Sequence, residues 1–356
     1  MAGKSPVKTS GRPPAKANRA PAALRRKSSS NPVIDFHSHI FVDEVCNFVK
    51  QKLPPEATEY QLVDNYKRGE AAQRKRHPRP TADGLQARLM DMDEFGIDIQ
   101  VVFCHIAQYC YWASPNDGAR MARIGNDALA EFVGRKPERF IGMGMVPLQD
   151  VPAALQELER MVNRLGLRAV AVNTHVDGVE LGDERLLPFW ARAEQLGIPV
   201  FIHPSGFKHP RFTKHLMWNG VGQPIEEAIA MSNLIYEGIL DRYPKLKVGI
   251  AHGGGFLPYY AGRVDRNFRN RPHETPKISQ APSHYMKRFF FDTVVYNPDM
   301  LEFLAHKVGP DRIVLGGDYP VGEDNPAAFV RNAKLSSEAK KMILGGNAAK
   351  LLGIGN

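Results

Sequence analysis

The sequence contains few cysteines, no long apolar run and, over its first 31 residues, no acidic side chain. Its three cysteines, Cys46, Cys104 and Cys110, are an odd number and show no CxxC spacing, which favours a reducing compartment such as the cytoplasm and argues against a thiolate metal site. No apolar run approaches the roughly 20 residues of a membrane span, and no apolar segment typical of a secretion signal is present. We therefore expect neither an integral membrane protein nor a disulfide-stabilised secreted domain.

The excess of positive charge lies in one segment. The net charge of the 356 residues is +9, and residues 1–31 contain eight lysines and arginines. Removing these eight charges leaves the remainder at about +1. The segment is rich in Pro, Ala and Ser and cannot bury enough apolar surface to fold alone. We predict a disordered basic tail at 1–31, with an organelle-targeting role as the alternative to a cytoplasmic location.

Eight short β-rich runs follow the tail and alternate with segments that carry apolar residues at helical spacing. The runs are 33–37, 99–103, 139–145, 167–172, 198–203, 247–252, 289–294 and 312–317, and the clearest helical segments are 85–96, 116–135, 152–166, 184–197 and 225–243. Eight strands with intervening helices predict a (β/α)8 barrel over residues 32–356, with a doubly wound sheet as the alternative. Residues 42–82 break the alternation and are predicted to be an insertion over the barrel mouth.

Polar residues close several of these runs, at the end of the barrel where chemistry takes place. His37 and His203 end the first and fifth runs, and His39 follows His37 by two residues, so that both imidazoles share one side of an extended chain. Asp318 comes directly after the eighth run, which neighbours the first when the barrel closes. Three imidazoles and one carboxylate predict a site for one divalent ion, zinc first and manganese or another first-row ion as the alternative. For any one of these residues alone, a structural hydrogen bond would be the simpler interpretation.

Three further histidines lie at or near strand ends: His252 closes the sixth run, and His105 and His175 lie just beyond the second and fourth. His252 leads into a glycine run, "AHGGG", that permits close approach of backbone or ligand, and it is predicted to act in acid–base chemistry beside the ion. His105 and His175 could contact the substrate or the ligands, and a structural hydrogen bond is an equal alternative for both. The segment 205–223 contains Trp218 with glycines and basic residues, and is predicted to be a mobile cover over the site.

The motifs "DFHSH", "FIHP", "AHGGG" and "GGDYP", in this order and at these strand ends, resemble the amidohydrolase superfamily. The chain is most similar to the branch around aminocarboxymuconate semialdehyde decarboxylase, through "YWASPND" at 111–117 and "YPKLKVGIAHGGGFLPYYAGR" at 243–263. The resemblance implies that His37, His39, His203 and Asp318 bind one zinc ion. It also implies that His252, together with the catalytic carboxylate of Asp318, activates metal-bound water and moves protons.

The same resemblance implies residues that bind the substrate. Arg263 and Arg271 match arginines that hold substrate carboxylates and that, in a homodimer, reach the neighbouring subunit's site; the alternative is a basic surface helix. Arg76 is the best match to a further carboxylate-binding arginine. Apart from the resemblance, His175 and Trp218 are predicted substrate contacts from their positions after the fourth run and in the segment 205–223. Around "CHIAQYCYW" the sequence departs from that branch, which leaves the substrate open.

The resulting expectation is a non-oxidative decarboxylase of a small unsaturated or aromatic carboxylic acid. The alternative is a hydrolase or hydratase that uses the same metal hydroxide, because the metal shell is common to these activities. A third hypothesis, a nucleic-acid or membrane-surface protein that depends on the basic tail, predicts that deletion of 1–31 abolishes function. The enzyme hypothesis requires neither nucleic acid nor a membrane.

Overall fold

The strands of the predicted barrel are nearly all buried, as expected for a sheet covered on both faces. The computed structural model describes residues 31–81, 83–207, 209–271 and 276–354. In chain order the strands are β1 (Ile34–Ile40), β2 (Ile99–Cys104), β3 (Phe140–Met145), β4 (Ala169–Asn173), β5 (His175–Val176), β6 (Val179–Glu180), β7 (Pro199–His203), β8 (Lys247–Ile250), β9 (Phe289–Asp292) and β10 (Ile313–Val314). β5 and β6 form a small antiparallel hairpin outside the main sheet.

The remaining eight strands are parallel and follow the order β1-β2-β3-β4-β7-β8-β9-β10. The backbone N–H of Phe36 donates to the carbonyl of Leu315 at 2.7 Å, and the N–H of Asp318 donates to the carbonyl of His37 at 2.8 Å. These bonds join the first strand to the last, which confirms the (β/α)8 barrel. A doubly wound sheet, which has two open edges, is excluded.

The helices surround this barrel. They are α1 (Asp43–Lys52), α2 (Thr58–Arg76), α3 (Gly84–Phe95), α4 (Pro115–Arg135), α5 (Val151–Asn163), α6 (Leu187–Leu196), α7 (Gln223–Tyr236), α8 (Ile239–Arg242), α9 (Ala261–Asn270), α10 (Pro282–Met286), α11 (Pro298–Val308), α12 (Pro326–Asn332), α13 (Ser337–Lys341) and α14 (Asn347–Leu352). Gly96 and Gly197 end α3 and α6 in the left-handed conformation that is common at helix ends. Within the described ranges no helix combines the length and apolar character of a membrane span.

Two boundaries differ from the sequence prediction in a way that bears on the site. β1 continues to Ile40, so His37 and His39 both lie within one extended strand. His252 lies in a turn of 3-10 helix after β8 rather than at a strand end, and its backbone is left-handed with φ of 47°. The glycines that follow let the chain leave the strand sharply at this point.

An aromatic layer fills the barrel beneath the polar residues. The rings of Phe36 and Phe201 meet edge to face with centroids 5.7 Å apart, and Phe103 lies 5.8 Å from Phe201. The imidazole of His37 packs on this layer, 5.5 Å from Phe103 and 5.2 Å from Phe201. All four side chains are buried, so charges just above them lie next to a medium of low polarity, where electrostatic interactions are strong.

Residues 43–76 form α1 and α2, which pack on the short helical turn 106–108 after β2. Tyr66 of α2 stacks on Phe41 with ring centroids 3.8 Å apart and meets His105 at 5.3 Å. The two helices therefore lie near the carboxyl ends of β1 and β2. The predicted tail lies outside the described residues except for Asn31, so its disorder and the domain boundaries stay predictions.

Candidate metal centre and active site

Five polar side chains converge at the carboxyl end of the barrel. His37 and His39 extend from β1, His203 ends β7, and His252 and Asp318 follow β8 and β10. Asp318 Oδ1 lies 2.9 Å from His39 Nε2 and 3.3 Å from His37 Nε2. One ligand atom from each of His37, His203, His252 and Asp318 lies within 4.8 Å of the others. This compact set contains three of the four predicted ligands, with His252 in place of His39, and His39 joins the cluster through its contact with Asp318.

His203 presents a lone pair to this centre. Its Nδ1 lies 2.9 Å from the carbonyl of Pro204 and must donate to it, which leaves Nε2 as the unprotonated nitrogen. That Nε2 is buried and has no hydrogen-bond partner among the described residues. A buried acceptor without a donor is costly unless a cation satisfies it, so the donor set fits a bound divalent ion.

The protonation of the cluster also favours a cation. Burial holds the pKa of His203 well below its usual range and lowers the pKa of His39 to about 4, so both imidazoles are neutral. Burial would likewise lower the pKa of His37, but the carboxylates of Asp318 and Asp292 outweigh it and raise the pKa to about 9. Burial would raise the pKa of Asp318, yet His37, His252 and His39 hold it well below its usual range. The centre therefore stabilises positive charge, which either protons or a metal ion can supply.

Asp292 holds the imidazole of His37 from behind. Its Oδ2 lies 2.6 Å from His37 Nδ1, and its Oδ1 accepts from the backbone N–H of Gly253 at 3.0 Å and of Val294 at 3.1 Å. A carboxylate on the outer nitrogen of a ligating histidine fixes its tautomer and orientation. The sequence analysis did not single out Asp292, although it is the only charged residue of the run 289–294.

β1 is anchored by a second buried carboxylate. Asp35 Oδ1 accepts from the backbone N–H of Gly317 at 2.9 Å, and its Oδ2 accepts from the Gln100 amide at 3.0 Å. The buried guanidinium of Arg88 donates to Gln100 Oε1 at 3.3 Å and to the carbonyl of His39. These bonds fix the strand that carries two of the candidate ligands.

His252 has a buried carboxylate on its outer nitrogen as well. Its Nδ1 forms a short hydrogen bond with Glu227 of α7, and its Nε2 lies 3.9 Å from Asp318 Oδ2. Burial would lower the pKa of His252, but Glu227 and Asp318 outweigh it and raise the pKa well above its ordinary value. Glu227 was not singled out from the sequence.

A cavity of about 380 Å³ opens beside these residues, with His252 and Asp318 at its base. Its walls are mainly apolar and aromatic, and include Pro224, Phe256, Tyr259, Val294, Tyr296, Met300, Phe303 and Leu304. Several of these side chains are also exposed, Tyr259 by 68% and Tyr296 by 58%. Within the part of the chain that the structure describes, no arginine or lysine lines this cavity. The cavity is suited to a flat, partly apolar ligand.

The predicted substrate arginines lie elsewhere in the described chain. Arg263 of α9 and Arg271, directly after it, are exposed and do not line the cavity. Arg76 Nε lies 2.7 Å from Asp324 Oδ1 in an exposed ion pair. Any role of these arginines toward a substrate stays a prediction.

The remaining predicted residues, Trp218, His175 and His105, do not line the cavity. Trp218 begins a five-residue π-helical turn, Trp218–Gly222, and its neighbour Asn219 lines the cavity. His175 lies in the β5–β6 hairpin, where its Nδ1 accepts from the N–H of Gly178 at 3.0 Å. His105 makes a similar local bond, accepting from the N–H of Ala107 at 3.3 Å.

The amidohydrolase family model matches residues 34–354. A 2-amino-3-carboxymuconate-6-semialdehyde decarboxylase from Dictyostelium discoideum is 35% identical over 272 residues, which cover 75% of this chain and 76% of the relative. The crystal structure of 5-carboxyvanillate decarboxylase from Sphingomonas paucimobilis is 26% identical and aligns with a TM-score of 0.79, covering 91% of this chain and 99% of that one. A dihydroxybenzoic acid decarboxylase from Polaromonas sp. JS666, solved with bound manganese, is 26% identical and aligns with a TM-score of 0.75, covering 91% of this chain and 97% of that one.

The chain belongs to the amidohydrolase family. The three relatives described above are all decarboxylases. Their similarity to this chain confirms the predicted class of enzyme, a metal-dependent carboxy-lyase. The side-chain cluster and the manganese-bound relative support a divalent metal ion as the cofactor.

Proposed function

We propose that this enzyme removes carbon dioxide, without oxidation, from a small aromatic or unsaturated carboxylic acid. The observation that carries the proposal is that His252 and Asp318, two members of the histidine–aspartate cluster, line an aromatic-walled cavity of about 380 Å³. A planar ring fits between such walls, and its carboxylate would face the positive charge that the cluster stabilises.

In this proposal His37, His39, His203 and Asp318 hold one divalent ion. When bound, the ion supplies a positive charge that orients the substrate's oxygen atoms and stabilises negative charge that develops on them. His252 carries a proton at Nε2, close to Asp318 and facing the cavity. As the bond between the ring or chain carbon and the carboxylate breaks, its electron pair stays on that carbon, which takes the proton, and carbon dioxide leaves.

The proposal is tested by incubating the purified protein with hydroxybenzoate-type and muconate-type acids. Release of carbon dioxide and a matching change in ultraviolet absorbance are expected for at least one acid. Hydrolysis of an ester or amide, with no carbon dioxide from any of these acids, would favour the hydrolase alternative and overturn the proposal.

Variants separate the roles within the cluster. His37→Ala and Asp318→Ala are expected to lose metal and activity together, whereas His252→Ala keeps the metal and loses turnover. His306→Ala, at an exposed position near the end of α11, is the matched control and retains both. Metal analysis of the purified variants decides the assignment, since a metal-free His252→Ala protein would make His252 a ligand.

Zinc is the proposed ion, because three imidazoles and one carboxylate suit it, with manganese as the alternative. Metal analysis of the protein as purified distinguishes the two. We further propose a cytoplasmic homodimer in which Arg263 and Arg271 of each chain approach the neighbouring site. The exposed positions of both arginines, and the exposed Tyr259 and Tyr260 near Arg263 at the start of α9, support this arrangement. Light scattering that gives a monomer would contradict it.

A further inference from the structure

We infer that Glu227 is a positioning residue for the reaction: its carboxylate fixes the tautomer and orientation of His252, so that Nε2 of the imidazole faces the cavity. The inference rests on the proposed function, because it concerns the histidine that moves the proton.

The first observation is the contact itself. Glu227 is completely buried, and its Oε1 forms a short hydrogen bond with His252 Nδ1. A carboxylate can only accept, so Nδ1 carries the hydrogen whenever Glu227 is ionised. The exchangeable proton of His252 is then at Nε2, which lies 3.9 Å from Asp318 Oδ2 and borders the cavity. The pair thus has the orientation of a histidine that exchanges protons on its inner nitrogen.

The second observation is the close approach of α7 to the glycine run after His252. A Cβ atom at Gly255 would lie 2.1 Å from the carbonyl oxygen of Pro224 and 3.0 Å from Glu227 Oε2. Gly255 also has φ of 60° and ψ of −130°, a conformation that residues with a side chain rarely adopt. The absent side chain is what allows the first turns of α7, and with them Glu227, to reach His252. Within the glycine run, Gly255 therefore leaves room for the backbone of α7.

The same helix fixes a second imidazole of the cluster. Gln223, at the start of α7, donates to the carbonyl of Pro204 at 3.3 Å, and this carbonyl accepts from His203 Nδ1 at 2.9 Å. Glu226, beside Glu227 in the sequence, instead accepts from the hydroxyl of Thr174 at 2.9 Å. Of these two adjacent acids, only Glu227 therefore contacts His252.

The carboxylate has a chemical consequence besides orientation. When Nε2 gives its proton to the substrate carbon, the Nδ1–H bond to Glu227 remains and keeps Nε2 as the site of the next protonation. An amide at position 227 removes the charge and can present its NH2 to Nδ1, which favours the opposite tautomer.

The test compares Glu227→Gln and Glu227→Asp with the parent enzyme. We expect Glu227→Gln to lower kcat by about 10- to 100-fold, in line with loss of an outer partner of a site histidine. KM should stay within about twofold, because substrate binding is not changed. Metal content should stay at the parent value, and Glu227→Asp should recover part of kcat. Glu157→Gln is the matched control, since Glu157 is a buried glutamate of α5 that bonds Asn126 and Arg160 instead.

A spectroscopic measurement tests the hydrogen bond without relying on turnover. With 15N-histidine labelling, the Nδ1–H of His252 should give a strongly downfield proton resonance in the parent protein, assigned by its absence in His252→Ala. The resonance should move upfield in Glu227→Gln. A parent protein without this resonance, an unchanged kcat in Glu227→Gln, or loss of metal from it would each overturn the inference. A parent enzyme that decarboxylates no acid contradicts the proposed function instead, and the resonance still decides the role of Glu227.

Discussion

Replacement of Asp292 by asparagine is predicted to weaken metal binding through the tautomer of His37. Asp292 accepts three hydrogens, one from His37 Nδ1 and two from the backbone N–H groups of Gly253 and Val294. Asparagine has the same shape but a single acceptor oxygen. If this oxygen keeps the two backbone bonds, the amide NH2 faces His37 Nδ1, which must then accept. The proton of His37 moves to Nε2, the nitrogen that lies 3.3 Å from Asp318, and Nε2 can no longer bind a cation.

The magnitude follows from the bond that is lost. A hydrogen bond to a charged group contributes about 1.5–3 kcal/mol. Since about 1.4 kcal/mol changes a dissociation constant tenfold, the Kd for zinc should rise by roughly 10- to 100-fold. Competition with a chromophoric chelator at fixed pH measures this change. Asp127→Asn, which removes a surface partner of Arg160, should leave the Kd unchanged. If Asp292→Asn binds zinc as tightly as the parent protein does, the tautomer argument is wrong.

Two further predictions concern stability and the tail. Asp91 is buried, and although burial would raise its pKa, Arg74, Tyr319 and Arg79 outweigh it and lower the pKa. Its ionised form therefore stabilises the folded state above about pH 4, and this contribution falls as the pH drops through the lowered folded pKa. Asp91→Asn should lower the free energy of unfolding at pH 7 by about 3 kcal/mol, with a smaller difference in acid, as urea titrations at several pH values would show; an equal difference at all pH values would contradict the argument. Deletion of residues 1–31 should leave kcat and KM within about twofold, and loss of turnover would favour a functional tail.

The (β/α)8 barrel could be predicted because its buried strands are compact apolar runs, several of which have a polar residue near the end. The spacing of two between His37 and His39 was informative for the same reason, since only an extended strand turns both side chains to one side. Asp318 could be placed beside them because the first and last strands of a barrel are neighbours. These inferences need local patterns and one rule of topology.

Asp292 and Glu227, the carboxylates that bond Nδ1 of His37 and of His252, differ in whether local sequence patterns could have identified them. Asp292 carried the same kind of signal as the other site residues, a single charge in an apolar run, and could have been found. Glu227 could not, because it lies on a helix next to Glu226 and only the packing of α7 decides which of the two reaches His252. The path of α2 is similarly non-local: Arg74 reaches the buried Asp91, whereas Arg76, two residues later on the helix, pairs with the exposed Asp324.

The distribution of the cluster over the barrel has a consequence for folding. His37 and His39 come from the first strand, His203 from the middle of the chain, and Asp318 from the segment after the last barrel strand. No contiguous half of the chain contains the whole set, so a truncated or partly folded chain cannot form the site. An ion that binds these residues together stabilises only the closed ring of strands. Retention of the metal therefore indicates whether the first and last strands are paired. The rate of metal release during unfolding would report how fast these two strands separate.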